Sequence, residues 1–324
     1  MGMLDEIFDE PNAIKRTFYQ LKDVLEESIK LIKESKRIYV IGNGSSYHAA
    51  LYLQYIFQME GLNIQAFTSN ELKYYIKNIG ENDLCIAISQ SGENKDVLNA
   101  SKIWYQKNKR IISFVNNKDS SLSSISLISN YISAGEEQAI PATKSYISSI
   151  TAILILHDMY KNEINLKNKI LDLSKTVDQI ISEKEKIRKM SEIVNEKSII
   201  LGTFLNYITA REAALKLIET SNVFSLAYPA GEIFHGPIQI LDKNTVLFLL
   251  VGNEYLHFKN EINKIVPFVD IIGIGKENAD FNIKYEYDNV DPIVNVVPFQ
   301  LISYFVAKRK GLDPDKPTRI KKIV

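Results

Sequence analysis

The chain has 324 residues, enough for one large or two ordinary domains, and its 45% hydrophobic content is sufficient for a sizeable core. Lys plus Arg and Asp plus Glu both number 39, so the basic excess expected of a nucleic-acid binder is absent. The one cysteine, Cys85, excludes a disulfide framework and a multi-cysteine metal site within one chain. The acidic stretch from Met1 to Pro11 lacks the apolar centre of a signal peptide, and no segment approaches the ~18 apolar residues that span a bilayer. The expectation is a soluble, cytoplasmic protein.

After Pro11, the residues Leu21, Val24, Leu25, Ile29 and Ile32 fall near helical spacing and predict one long helix or a helix pair up to Ser35. Arg37 to Ile41 is a β-rich run that ends in Gly42-Asn-Gly-Ser-Ser46, and a helix follows from Tyr47 to Met59. Asn63 to Phe67 reads as a strand ending in Thr68-Ser-Asn70, with a helix expected from Glu71. Asp83 to Ile88 is a short apolar run with the look of a buried strand; it runs into Ser89-Gln-Ser-Gly-Glu-Asn94 and then a helix over 95–106. Further strands are expected at Arg110 to Val115 and Tyr131 to Ser133, and a helix from Ala142 to Tyr160. Strands alternating with helices imply a parallel sheet flanked by helices, with ligands at the carboxyl ends of the strands.

Residues 161–197 are rich in Lys, Glu and Asn, yet Ile170, Leu173, Val177 and Ile180 keep a helical stripe, which reads as a helical connection. Ser198 to Gly202 then restarts the strand–glycine–helix pattern. Strands follow at Val223 to Ala227, Val246 to Val251, Val269 to Ile274 and Ile283 to Tyr287, and a last helix over Pro298 to Lys310. The glycines at 42 and 202 are 160 residues apart and begin similar units, so the chain reads as two copies of one α/β unit. The divisions expected are an N-terminal helical segment (1–36), a first α/β domain (37–160), the connection (161–197), a second domain (198–310) and a basic tail (311–324).

A strand that ends in hydroxyls and a glycine before a helix can hold an anion, because helix N-termini carry unpaired N–H groups and partial positive charge. The plainer alternative is a strand–turn–helix connection with ordinary capping by Ser and Asn. Gly42-Asn-Gly44 begins like a dinucleotide fingerprint, but position 47 is Tyr and the next strand ends in Thr68-Ser69 rather than in an acidic residue. Two serine-rich loops without Lys or Arg suit instead a small phosphorylated ligand that must leave again.

Six stretches occur in one order: Gly42-Asn-Gly-Ser-Ser-Tyr-His48, Ser89-Gln-Ser-Gly-Glu93, Glu137-Gln-Ala-Ile-Pro-Ala-Thr-Lys144, Ala213-Ala-Leu-Lys-Leu-Ile-Glu219, Gly231-Glu-Ile-Phe-His-Gly-Pro237 and Gly311-Leu-Asp-Pro-Asp-Lys-Pro-Thr-Arg-Ile-Lys-Lys322. Together they resemble the double sugar-isomerase (SIS) domain family, which includes the isomerase part of glucosamine-6-phosphate synthase, glucosamine-6-phosphate deaminases and fructosamine-6-phosphate deglycases. The resemblance covers nearly the whole chain. It implies two flavodoxin-like α/β domains and a homodimer with the active site shared at the subunit interface.

By that resemblance Ser45, Ser46, Ser89, Gln90, Ser91 and Asn94 hold the phosphate of a six-carbon sugar, and Gly44, Glu137 and Ala142 are further substrate contacts. Asn94 stands where the family has Thr, and Ala142 where it has a hydroxyl. Glu219 resembles the base that moves a proton between C1 and C2, a task suited to a carboxylate on a rigid helix. On spacing alone Glu212, Lys216 and Glu219 also read as a charge stripe on a helix surface. Lys216 would orient Glu219 or touch substrate. His235 resembles the histidine that opens the sugar ring, supplied from the neighbouring subunit; by itself it reads equally as a packing residue in a Gly-Pro turn. Lys322 resembles the lysine that forms a Schiff base with the keto sugar, although a Lys-Lys pair this near the end otherwise reads as a frayed tail. Glu137 would bind sugar hydroxyls or the partner subunit. His48, His157 and His257 read as structural.

No glutaminase domain fits before Arg37, so glutamine is not the expected nitrogen donor. The expected function is a phosphosugar isomerase/deaminase acting on glucosamine 6-phosphate and fructose 6-phosphate, with fructosamine-6-phosphate deglycation as the alternative within the family. A non-catalytic sugar-phosphate regulator is the alternative outside it. No metal and no cofactor are expected, and neither nucleic acid nor membrane as partner.

Overall fold

The computed structural model describes residues 2–320 and divides into two compact units. One is built on the N-terminal sheet and takes Asn12–Glu137 and Lys144–Asp172. Of the described residues, the other, built on the C-terminal sheet, takes 2–11, 138–143 and 173–320. The expected N-terminal helical segment is thus split between the units at Pro11, and the helical connection at Asp172.

Three helices open the chain: α1 (Met3–Phe8), α2 (Glu10–Leu21) and α3 (Glu26–Lys33). The N-terminal sheet follows as β1 (Arg37–Gly42), α4 (Ser45–Met59), β2 (Ile64–Thr68), β3 (Asp83–Ser89), α5 (Lys95–Tyr105), β4 (Ile111–Val115), α6 (Ser121–Ile125) and β5 (Ile128–Tyr131). Its strands lie in the order β2-β1-β3-β4-β5, all parallel. Every residue of β3 is buried, as expected of a central parallel strand covered on both faces. Cys85 sits there among Tyr39, Ile41, Trp104 and Ile111, and burial pushes its thiol far up.

Next come α7 (Lys144–Tyr160), α8 (Leu166–Ser182) and α9 (Lys184–Ser191). The C-terminal sheet runs through β6 (Lys197–Gly202), α10 (Leu205–Ser221), β7 (Phe224–Pro229), β8 (Thr245–Leu250), α11 (Tyr255–Ile265), β9 (Asp270–Gly275) and β10 (Phe281–Asn282), and closes with α12 (Asp291–Val294) and α13 (Val297–Arg309). Its strand order is β10-β9-β8-β6-β7, so β7-β6-β8-β9-β10 matches β2-β1-β3-β4-β5 position by position. The expectation of two parallel α/β sheets flanked by helices, and of one unit used twice, is met.

The repeated glycine has one physical cause in both copies. A Cβ on Gly42 would meet the Ser46 carbonyl oxygen at 2.5 Å, and one on Gly202 would meet that of Asn206 at 2.2 Å. In each unit the first strand passes so close to the helix after it that only hydrogen fits.

Three expectations need correction. The helix expected from Glu71 is two short 3-10 turns, Leu72–Tyr74 and Ile76–Asn78. Leu72 and Ile76 keep helical spacing and are buried in the core, but the chain must turn at once into β3, where Asp83 accepts the Gly80 N–H at 2.8 Å. The strand expected at Tyr131 to Ser133 lies earlier, over Ile128–Tyr131, and Ser133 has a left-handed φ of 55°. The strand expected at Ile283 to Tyr287 is absent. Pairing stops after the two residues of β10 and one more bond, Ile283 N–H to Gly275 O at 2.8 Å, and Tyr285 is drawn off to donate to Asp291 at 2.7 Å.

Candidate active site

The two serine loops close the carboxyl ends of β1 and β3, neighbouring strands in the N-terminal sheet. Ser45 and Ser46 form the first turn of α4, directly after Gly44, which holds φ 55°. Ser89 ends β3 and is buried; its Oγ accepts the Gly92 N–H at 3.2 Å. Ser91 Oγ accepts the Glu93 N–H at 3.1 Å and is half-buried. A hydroxyl that accepts a loop amide keeps its own proton to donate. Asn94 caps α5: its Oδ1 accepts the N–H groups of Asp96 and Val97, both at 3.1 Å, which leaves its amide NH2 as the donor end.

This loop is pinned from several sides. Gln90 O accepts the Asn116 N–H at 2.9 Å, and Gly92 O accepts the Leu122 N–H at 3.1 Å. The Glu93 carboxylate accepts the Ser121 N–H at 2.7 Å, and that backbone bond holds it below the usual carboxylate range. Gly92 has φ +68°, and a Cβ there would lie 2.2 Å from Ser120 Oγ. Asn43 ties the loops together. Its Nδ2 donates to Asn94 Oδ1 at 3.4 Å, and its Oδ1 accepts the Ser69 N–H at 3.1 Å, at the end of β2. The loop donors are therefore held in place by the protein's own hydrogen bonds, and donors fixed in this way would lower the entropy cost of holding a ligand. Asn43, Asn116 and Ser120 were not singled out from the sequence; only the position of Asn43 between two loop glycines marks it there.

The C-terminal sheet unit carries the charged groups. Along α10, Lys216 Nζ lies 2.6 Å from Glu219 Oε2 and 3.5 Å from Glu212 Oε1. Lys216 and Glu212 side chains are each 1% exposed, whereas Glu219 is 24% exposed. The stripe is thus no solvated surface pattern: two of its three charges are out of water. Glu219 lines a pocket of about 240 Å³ with Thr220 and Asn222 on one side and Leu312, Asp313, Lys316, Thr318 and Arg319 on the other. The tail reaches this position because Asp315 anchors it. Its carboxylate accepts the Met3 N–H at 2.7 Å, and its carbonyl accepts the Ile140 N–H at 3.0 Å.

His235 ends a 3-10 turn (Ala230–His235) before Gly236, which has φ 131°, and its side chain is exposed. Lys322 lies outside the described residues. Glu137 is buried and its carboxylate is engaged at the start of α7, accepting Ser145 N–H at 3.1 Å and Ser145 Oγ–H at 2.5 Å. Ala142 falls in the short segment Gln138–Thr143 that packs with the C-terminal sheet unit, where Glu6 accepts the Gln138 and Ala139 N–H groups at 2.5 and 3.2 Å. His157 is buried between Glu60 (3.1 Å) and Asp158 (3.5 Å), a structural setting. His48 is buried in α4. Among the described residues no cluster of His, Cys, Asp and Glu has metal-binding geometry, and no helix is long and apolar enough to cross a membrane.

Comparison with known proteins shows the family of the chain. The SIS-domain model matches residues 31–159 and 192–304, one match on each sheet. The chain is 34% identical over 333 residues to the glutamine–fructose-6-phosphate aminotransferase (isomerizing) of Sulfurisphaera tokodaii, and 30% identical over 356 residues to that of Thermotoga maritima. Each alignment takes in 99% of the chain, but 56% and 58% of the relative, so the chain spans little more than half the length of these proteins. Among solved structures, a glucosamine-6-phosphate deaminase of Thermotoga maritima superposes with TM-score 0.86 at 25% identity, covering 99% of both chains. The C-terminal domain of the glucosamine–fructose-6-phosphate aminotransferase of Francisella tularensis does so with TM-score 0.84 at 27% identity, covering 97% of both.

Proposed function

Since the chain belongs to the SIS-domain family, we propose that it is a phosphosugar isomerase/deaminase that converts glucosamine 6-phosphate and water into fructose 6-phosphate and ammonia. The observation that carries this reading is the Glu219–Lys216 pair, with the carboxylate opening into a pocket and the ammonium buried behind it. The serine loops supply uncharged, pre-positioned donors for a phosphate, and the deaminase of Thermotoga maritima matches the chain end to end.

In the proposed reaction His235 assists opening of the sugar ring. Glu219 then takes the proton from C2 of the open-chain amino sugar and returns it to C1, while the C1 oxygen gains a proton and the C2 nitrogen loses one, which turns the C1 aldehyde into an alcohol and the C2 amine into an imine. Water adds to the imine carbon and ammonia leaves, giving the 2-keto sugar. Lys216 holds the carboxylate in one orientation through its 2.6 Å bond. Lys322 is the proposed Schiff-base lysine, on its place in the closing motif. The domain limits drawn from the sequence, a homodimer and a cytoplasmic location belong to the same proposal.

The test is incubation of the purified chain with glucosamine 6-phosphate and, separately, with a fructosamine 6-phosphate that carries an amino acid. Ammonia and fructose 6-phosphate from the first are expected. Release of free amino acid from the second, with no ammonia from the first, would make the protein a deglycase instead. Tight binding of both without turnover would make it a sensor.

A further inference from the structure

Asp315 holds the tail, and what it grips lies far away in the chain. The tail leaves α13 through Gly311 at φ 70°, and residues 312–320 form no helix or strand. Such a segment cannot fix its own shape, because its backbone groups have no ladder to join. Among the described residues, every hydrogen bond between 313–320 and the rest of the chain runs through Asp315: Met3 N–H to its Oδ1 at 2.7 Å, and Ile140 N–H to its carbonyl at 3.0 Å. Its own N–H donates to Asp313 Oδ1 at 3.0 Å, so Asp313 turns with it. Asp313 and Lys316, on either side of it, line the pocket of Glu219, as do Thr318, Arg319 and Ile320. We propose that Asp315 is a positioning residue for the reaction: by tying the tail to the first turn of α1 and to segment 138–143, it sets the wall that faces Glu219. The proposal rests on the reading of that pocket as the reaction site.

The anchor is itself held. A carboxylate that accepts N–H groups in the first turn of a helix is favoured by the helix field, and a bond to an ionised acceptor is stronger than a neutral one. Asp5 accepts Gly2 N–H at 3.0 Å in the same turn. Burial, and then the charges of Asp315 and Asp5, push the Tyr304 phenol of α13 up, so both carboxylates lie close to that helix as well. Met3 and Ile7 of α1 are fully buried, and Glu6 accepts the Gln138 and Ala139 N–H groups. The start of the chain, segment 138–143 and the tail are thus bonded to one another, although they are far apart in sequence.

Gly2 leaves room for the contact. A Cβ on it would lie 2.6 Å from Asp315 Oδ2. Its φ of −107° suits any residue, so a substitution there displaces the end of the Asp315 side chain and strains no backbone. The hydrogen bonds that hold the Ser89 to Asn94 loop do not involve Asp315. A loosened tail should therefore leave the phosphate grip intact and misplace only groups beside the reacting carbons. Such a fault shows in kcat more than in KM.

The experiment compares Asp315→Ala, Asp315→Asn and Gly2→Ala with wild-type protein. It reads kcat and KM for glucosamine 6-phosphate, folded content by circular dichroism, and the rate of tryptic cleavage after Arg319 by mass spectrometry. Asp315→Ala should lower kcat about tenfold or more, keep KM within about threefold and quicken the cleavage severalfold. Asp315→Asn keeps an acceptor for Met3 N–H and should recover most of the lost kcat. Gly2→Ala, which keeps Asp315 but crowds its carboxylate, should move both readouts the same way by less. A merely structural Asp315 would lower Tm and leave kcat per folded molecule within about twofold of wild type, and that result overturns the proposal. So does a fall in kcat without faster cleavage, or a KM that rises as far as kcat falls. If Asp315→Ala does not fold, a Gly2→Ala protein with kcat and cleavage at wild-type values overturns it too. Wild-type protein without turnover would sink the reading of the pocket and this inference with it, whereas wild-type turnover that is indifferent to Asp315 sinks this inference alone.

Discussion

The Gly42 and Gly202 regions start from one plan and diverge within two residues. Both strands end at a glycine that a helix overlies too closely for a Cβ, and both next helices begin after a residue in an unusual backbone state: Gly44 at φ 55°, ψ −129°, and Phe204 at φ 50°, ψ −119°. Past that point the first copy offers Ser45 and Ser46, while the second offers Leu205 and Asn206. The next loop repeats the contrast, with Ser89-Gln-Ser-Gly-Glu-Asn94 against Leu250-Val-Gly-Asn-Glu254. In exchange, the helix of the second copy carries Glu212, Lys216 and Glu219, where α4 has no charged side chain from Ser45 to Met59. Packing fixes what is common to the copies, and polar side chains that packing does not need distinguish them. We read the first copy as the part that holds the ligand and the second as the part that moves protons.

The largest effect is expected where that division is cut most cleanly. Glu219→Gln should lower kcat about a thousandfold in a coupled ammonia assay and leave the dissociation constant for fructose 6-phosphate, measured by calorimetry, within about threefold. Ser91→Ala should do the reverse. Losing a hydroxyl donor to a charged phosphate should weaken binding about tenfold or more, with kcat nearly kept, because that contact is the same in ground and transition states. A fall in kcat alone would break the division from the other side.

Two backbone substitutions separate the copies further. Gly92→Ala forces a methyl to within 2.2 Å of Ser120 Oγ at a positive φ, and should cost about 2 kcal/mol or more in urea unfolding, besides weakening phosphate binding. Phe204→Gly should act oppositely. It relieves a left-handed φ on a bulky residue, and the gain should exceed the entropy cost of glycine by about 0.5–1 kcal/mol, with ligand affinity unchanged. A destabilised Phe204→Gly would mean that the contacts of the exposed ring are worth more than the strain.

Much of this was readable from the chain. Apolar runs and glycines revealed the repeated α/β unit, since a parallel strand buried on both faces leaves an unbroken run such as Asp83 to Ser89, and the helix-close glycine recurs for a steric reason. The serine loops were readable because hydroxyls are out of place at the end of such a run. Three things were not. The burial of Glu212 and Lys216 was hidden because i, i+4, i+7 spacing is identical on a wet and a buried helix face; only tertiary packing decides. The bracing by Asn43, Asn116 and Ser120 depends on contacts between loops of different strands. The strand expected at Ile283 failed because Tyr285 finds Asp291 and Asn295, partners several residues on, that no period-two pattern registers.

The central claim, that Glu219 carries the proton while the serine loops hold the substrate, is tested most directly by hydrogen exchange. Fructose 6-phosphate is incubated with enzyme in D2O, and deuterium at C1 is followed by proton NMR. Wild-type protein should incorporate deuterium at C1, and Glu219→Gln, at a concentration that saturates its binding site, should incorporate none above the enzyme-free rate. Undiminished exchange in the saturated variant would contradict the account, because another group would then be moving the proton.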